Sequence, residues 1–422
     1  MSLAEAAVAD AHRREWTFVL AATARVTRDF DLAEECVQDA YLSALDAWER
    51  DGVPKSTGAW LTTAARRRAL DVLRRDQTLK KKLPLLIEPE ESEMDIPTEY
   101  AVPDDRLRLI FTCCHPALAR EAQIALTLRL VCGVTTDEIA KAFLVTDSTM
   151  AARVTRAKKK ITAAGIPYRV PSASELPDRL DAVLTVVHLL YTTGHTAPTG
   201  DRLVRNDLVE RALELARVLH TLMPDEREVR GLLALLMVTD ARRATRTDAD
   251  GRLLLLEEQD RSLWDREAIA ASHDLVVGAL RGGNAGRFGL QAAIAALHAE
   301  APSFAETDWS QIVTLYDALL KIWPSPVVAL NRAVAVSMVD GPADGLAAIA
   351  ELEADSRLAG YRYLPAAKAD FLRRLGRHAE AADAYQAALD LTENEAERVF
   401  LTGRLTASRT ARTREGGPAE KS

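Results

Sequence analysis

Three sets of residues in this chain carry side chains able to do chemistry. Cys113, Cys114, His115 and Cys132 could ligate a metal ion. Adjacent cysteines on a helix cannot readily both face one ion and no CxxC pair exists, so structural zinc is disfavoured and no metal is expected. His188 and His195 flank a loop, but no Ser, Cys or Glu partner stands at a spacing that would make a nucleophile–base pair. There is no Walker sequence and no GxGxxG. No catalytic residue and no cofactor are therefore expected, and the chain does not read as an enzyme. The third set is cationic. Thr149, Arg153, Arg156 and Lys160 recur at i, i+4, i+7 and i+11 with no acid among them. Such a row suits the phosphates and base edges of nucleic acid.

The elements around that row can position it. Thr135-Thr136-Asp137-Glu138 reads as a capping box opening a short helix whose apolar face is Ile139, Ala140 and Phe143. Leu144 to Asp147 reads as a turn, with Asp147 or Ser148 capping a second helix. There Met150, Val154, Ala157 and Ile161 form a buried stripe opposite the cations. Two short helices, a tight turn and a basic outer face make a helix-turn-helix. The bland alternative is an ordinary αα-hairpin with a solvated basic face.

The chain has 422 residues and a formal net charge of −8, so any nucleic-acid contact comes from local basic patches on an acidic body. Four cysteines make no disulfide scaffold and fit a reducing cytoplasm. No signal peptide is read, and the apolar run near 182–190 is too short to span a bilayer. Ala and Leu dominate and period-two alternation is rare, which predicts an all-α class.

Residues 5–30 read as a first helix burying Trp16, Phe18, Val19 and Val26. The next, 31–48, buries Val37, Ala40, Tyr41, Ala44, Leu45 and Trp48. Its opposite side sets Asp31, Glu35, Gln38, Asp39 and Asp46 around an exposed Leu42. This is either a solvated face or a dock for a basic partner. After a Gly/Pro loop containing Lys55, a third helix over 58–75 turns Trp60, Leu61, Ala64, Ala65, Ala69 and Val72 inward. Thr63, Arg66, Arg67, Leu70 and Arg74 turn outward. Arg68 falls on the apolar side and is expected to pair with a buried carboxylate. From Thr57 to Lys82 the cations Arg66, Arg67, Arg68, Arg74, Arg75, Lys80, Lys81 and Lys82 face only Asp71 and Asp76. They form a second basic patch. Residues 83–103, rich in Pro and Glu, read as a flexible acidic linker that could shield the basic patches.

The run Asp31-Leu32-Ala33-Glu34-Glu35-Cys36-Val37-Gln38-Asp39-Ala40, then Gly58-Ala59-Trp60-Leu61, then Ala65-Arg66-Arg67-Arg68-Ala69-Leu70-Asp71, then the helix-turn-helix, resembles an extracytoplasmic-function sigma factor over about residues 10–165. The stretches 241–252 and 258–266 resemble the subgroup with a long C-terminal extension of tetratricopeptide-like repeats. One departure is Arg67, where family members often carry Asn. The resemblance implies two small helical sigma lobes, at 5–82 and 104–166, joined by the linker. It implies that Asp31, Glu35, Gln38, Asp39, Leu42 and Asp46 meet core RNA polymerase. It further implies that Lys55, Trp60, Thr63, Arg66, Arg67 and Arg74 meet the −10 element, holding an opened strand and a flipped base. Trp60 could stack on a base, although its inward position favours core packing. Thr136, Ser148, Thr149, Arg153, Arg156, Lys159 and Lys160 would meet the −35 element, the two lysines on phosphates.

Beyond a second linker at 167–177, residues 178–285 read as a helical domain. Residues 240–267, dense in Asp and Arg, read as a solvated ion-pair network rather than a ligand pocket. Residues 286–408 read as helix pairs with a cap, Gly341 and Gly376 marking equivalent turns 35 residues apart. The end, 409–422, reads as a disordered tail. The leading expectation is a promoter-specificity subunit of RNA polymerase regulated by its extension, with core enzyme and promoter DNA as partners and no membrane. A protein or small-ligand partner of the extension stays open. The alternatives are a stand-alone helix-turn-helix regulator with a repeat-based sensor, and a scaffold that binds no DNA.

Overall fold

The computed structural model describes residues 2–82, 105–142, 145–172, 174–197, 199–200, 203–283 and 285–415. The expected linker at 83–103 lies outside them, as does the centre of the helix-turn-helix turn. The described residues are helical almost throughout and divide into two units, Met1–Val186 and Val187–Ser422.

In the first unit, helix α1 (Leu3–Thr27) starts at a capping box. The Ser2 N–H donates to Glu5 at 2.6 Å and the Glu5 N–H donates to the Ser2 hydroxyl at 3.1 Å. Helix α2 (Phe30–Asp51) is capped by Asp29, and α3 (Thr57–Lys82) follows the loop. The three pack together, because alanines at 21, 33, 40, 44, 65 and 69 let the backbones approach while Trp16, Leu20, Val37, Trp48 and Leu61 fill the space. Trp60 is half-buried edge-on to Trp48, with ring centroids 5.7 Å apart. Two expectations fail here. Phe18 is 46% exposed, because its neighbours Trp16 and Val19 take the buried positions. Arg68 pairs with Asp39 at 2.9 Å, but both side chains are half-exposed, so no buried carboxylate is involved.

Helices α4 (Asp105–Cys113) and α5 (Arg120–Leu126) lead through a π turn (Thr127–Val131) to α6 (Thr136–Ala142) and α7 (Asp147–Ala163). This group packs directly on α1. The Trp16 indole N–H donates to the Leu130 carbonyl at 3.1 Å, and the Thr17 hydroxyl donates to the Val131 carbonyl. Gly133 turns the chain over the Trp16 ring at φ +66°, where a Cβ would sit 3.0 Å from the indole. The Tyr168 hydroxyl closes the same side by donating to the Ala21 carbonyl at 2.9 Å.

The second unit takes the end of α8 (Leu176–His195), then α9 (Asn206–Leu222), α10 (Arg227–Asp240), α11 (Arg266–Leu280) and α12 (Arg287–Glu300). The backbones of α10 and α12 touch. A Cβ on Gly231 would stand 2.6 Å from the Gly289 nitrogen. Successive helices α13 (Trp309–Ile322), α14 (Pro326–Val339), α15 (Pro342–Ala350), α16 (Tyr363–Arg374), α17 (His378–Asp390) and α18 (Glu395–Glu415) then pack each on the next. Gly341 and Gly376 take φ of +104° and +75° at the turns before α15 and α17. A short parallel pair, Thr199–Gly200 with Glu393–Asn394, ties the last helix to the first loop, helped by Asn394 donating to the Ala197 carbonyl at 3.1 Å. Helix α18 runs to Glu415, into the stretch expected to be a tail.

The 240–267 stretch is not a solvated network. Arg246 donates to the His195 carbonyl and to the Thr196 hydroxyl, and Arg261 donates to the carbonyls of His298 and Ala301 at 2.6 and 2.7 Å. The Arg261 guanidinium also covers the buried Trp264 ring, 4.5 Å from its centroid. Arg252, bonded to Asp248 and Asp250, forms the kind of exposed pairing the sequence suggested.

Candidate nucleic-acid interface

Helix α7 is held by its apolar stripe. Met150, Val154, Ala157 and Ile161 are all buried, so the opposite side of α7 must face out. That side carries Thr149, Arg153, Arg156, Lys159 and Lys160. Thr149, Arg156, Lys159 and Lys160 are exposed, and Arg153 is half-buried. The helix is capped by Thr146 rather than by Asp147 or Ser148. Its hydroxyl accepts the Thr149 N–H at 3.2 Å and also bonds the hydroxyls of Ser148 and Thr149 at 3.1 and 2.8 Å. Those two hydroxyls are thus tied into the cap. The Arg156 Nε donates to the Ala152 carbonyl at 3.2 Å, which lays its stem along the helix. At the start of α6, the N–H and the hydroxyl of Thr135 both donate to Glu138, at 3.0 and 2.7 Å, and Thr136 is half-buried beside them.

On α3 and its loop, Lys55, Thr63, Arg67 and Arg74 are exposed while Arg66 is half-buried. The Thr63 hydroxyl donates to the Ala59 carbonyl at 2.8 Å, and Arg74 lies 3.9 Å from Asp71. On α2, Asp31, Glu35, Gln38, Leu42 and Asp46 are exposed, with Leu42 at 63%, and Asp39 is half-buried against Arg68.

Asp31 is not an independent surface charge. Lys158, projecting from α7, donates to Asp31 at 2.7 Å and to Glu34, which is buried. Arg129 lies 2.9 Å from the other Glu34 oxygen. Burial alone would lower the pKa of the Lys158 ammonium, but the Glu34 and Asp31 carboxylates outweigh it and raise the pKa. The Glu34, Arg129 and Lys158 cluster escapes sequence reasoning because its members come from three distant segments. One signal does point to it. Lys158 sits at i+4 from Val154 and Glu34 at i−3 from Val37, charges in apolar register.

Cys113, Cys114 and Cys132 are buried thiols outside any disulfide, and burial pushes Cys114 up to about 11. Among the described residues no group of His, Cys, Asp and Glu is arranged to hold a metal ion. Nor is any helix there long and apolar enough to cross a membrane.

Residues 11–78 match the family model described as Sigma-70 region 2, and residues 108–161 match Sigma-70, region 4. An acidic-faced three-helix bundle followed by a basic helix-turn-helix, in that order, defines a sigma factor of the sigma-70 class, a DNA-binding transcription initiation factor of RNA polymerase. Residues 179–280 match a family of unknown function, DUF6596. An uncharacterized protein of Rhizobium meliloti (strain 1021) is 42% identical over 392 residues, covering 92% of each chain. The chain belongs to the same family as that protein.

Proposed function

We propose that this chain acts as an extracytoplasmic-function sigma factor whose C-terminal extension regulates it. The observation that carries the reading is the pairing of two opposite faces in one unit, acidic on α2 and basic on α7. A repressor that works alone needs no acidic dock. Glu35, Gln38, Asp39, Leu42 and Asp46 on α2 meet core polymerase, with Asp31 at the edge of the dock. Lys55, Thr63, Arg66, Arg67 and Arg74 run along the backbone of the opened −10 strand, and Trp60, half-buried, supports the loop. Arg153 and Arg156 read −35 base edges from α7, with Thr136, Ser148 and Thr149 beside them and Lys159 and Lys160 on phosphates.

In this reading the sigma lobes occupy 5–82 and 104–166, joined by 83–103. The extension occupies 178–285 and tetratricopeptide-like helix pairs over 286–408. Asp31 is shared between the dock and the Lys158 contact, so binding core polymerase through Asp31 competes with the ion pair from Lys158 of α7. Charge reversal at Glu35 and Asp46, which are exposed, tests the dock. The expected result is weaker co-purification with core polymerase at unchanged helical content and melting temperature. Unchanged association counts against the reading.

A further inference from the structure

The second unit contains two adjoining cavities of about 590 and 310 Å³, and His298, Tyr316 and Asn331 stand in the walls of both. The larger has the size of a small-molecule site. Its walls are mainly apolar, with Phe304, Trp309, Phe371 and Phe400 among them. Its cations are already matched. Arg362 pairs with Glu397 at 2.8 Å, Arg373 with Asp370 at 2.6 Å and Arg404 with Glu258 at 3.7 Å, while Arg374 lies 3.9 Å from Asp370 and donates to the Ser337 carbonyl at 2.9 Å.

The smaller cavity holds a cation that is not matched. Arg242, just past the end of α10, lines it, and its guanidinium makes no hydrogen bond or ion pair with any described residue. Its neighbours Arg246 and Arg261 both have acceptors. Burial lowers the pKa of the Arg242 guanidinium; Tyr191 acts against that shift and Arg261 adds to it. An enclosed cation without a counter-charge costs stability unless something supplies one. Beside it, between the two cavities, the buried Nδ1 of His298 also has no partner. That ring stays neutral, pulled down to about 4 by burial, then by Arg242 and Arg261.

We infer that the adjoining cavities bind a small organic carboxylate, its single charge on Arg242 and His298 and its apolar or aromatic body in the larger cavity. One unmatched cation suits a monoanion, since a phosphate dianion would leave a charge unpaired. The apolar walls exclude a ligand that is polar throughout. The inference does not depend on promoter binding, so each can fail without the other.

Calorimetric titration of the full chain with 2-naphthoate, octanoate and indole-3-acetate, each against its own carboxamide, tests it. At least one acid should bind at one site per chain below about 1 mM, and about tenfold or more tighter than its amide. Arg242→Met should abolish that preference while leaving amide binding unchanged. It should also raise the melting temperature of the ligand-free chain, since it removes a half-buried cation that has no counter-charge. Arg242→Lys should keep part of the preference. Overturning results are acids that bind no better than amides, or an Arg242→Met chain that keeps the preference. An Arg242→Met chain that melts lower or fails to fold also overturns it, because Arg242 is then structural.

Discussion

The proposed DNA faces and the extension use arginine in opposite ways. Of the cations on the proposed DNA faces, Lys55, Arg67, Arg74, Arg156, Lys159 and Lys160 lie in solvent, and Arg66 and Arg153 are half-buried. In the extension Arg246 and Arg261 reach inward to main-chain carbonyls, and Arg242 lines a cavity. Exposed cations cost little to keep and act together on a polyanion, with a strong dependence on salt. Enclosed cations are costly to keep unless satisfied, so each is committed to one acceptor or one ligand. A loss on the DNA faces should therefore appear in binding and leave folding alone. A loss of an acceptor-bound arginine in the extension should appear in folding.

The largest effect that could break this contrast is the pH dependence contributed by two histidines of the extension. His188, edge-on to Phe288, and His298 are both pulled down to about 4, chiefly by burial, with Arg287 acting on His188 and with Arg242 and Arg261 acting on His298. The unfolded chain binds protons at these sites below about pH 6.5 and the folded chain does not. Stability should be undiminished by them above pH 6.5 and fall between about 6.5 and 4, by up to about 3 kcal/mol for each histidine. Urea melts of the full chain across that window check it, and a flat profile contradicts the burial of these rings.

Next in size, Arg261→Ala should destabilise the extension by about 3 kcal/mol, because it orphans two carbonyls and uncovers Trp264. Arg156→Ala should change stability by less than about 0.5 kcal/mol. Similar losses from both in thermal melts would erase the distinction between the units. Smaller again are the readout effects. Arg153→Ala should lose about 1–3 kcal/mol of discrimination among −35 sequences, if its contact is bidentate. Lys160→Ala should weaken binding to all sequences alike and lower the salt slope by about one. Equal losses on every sequence from both variants would show that α7 is placed in the wrong register.

The helices are legible in the sequence because their burial is periodic. The stripe from Met150 to Ile161 and the inward row from Leu61 to Ala69 can be read directly. Charges with distant partners cannot. Lys158 meets Glu34 across 124 positions; the apolar register of each charge is visible, but nothing local says that the two are partners. The buried arginines read as solvated because their acceptors are backbone carbonyls, which every residue carries and no sequence marks. Arg68 shows the intermediate case. Its odd position is visible, but whether Asp39 is buried depends on the packing of two helices.

The central claim is tested most directly by transcription in a reconstituted system. Core polymerase, this chain and a library of promoter fragments should yield initiation at a defined subset, and none with either protein alone. Arg153→Ala should shift which −35 sequences are used, while Glu35 and Asp46 reversal should reduce initiation on all of them. Binding of promoter fragments by the chain alone, with no initiation when core polymerase is added, would contradict the account and favour a stand-alone regulator.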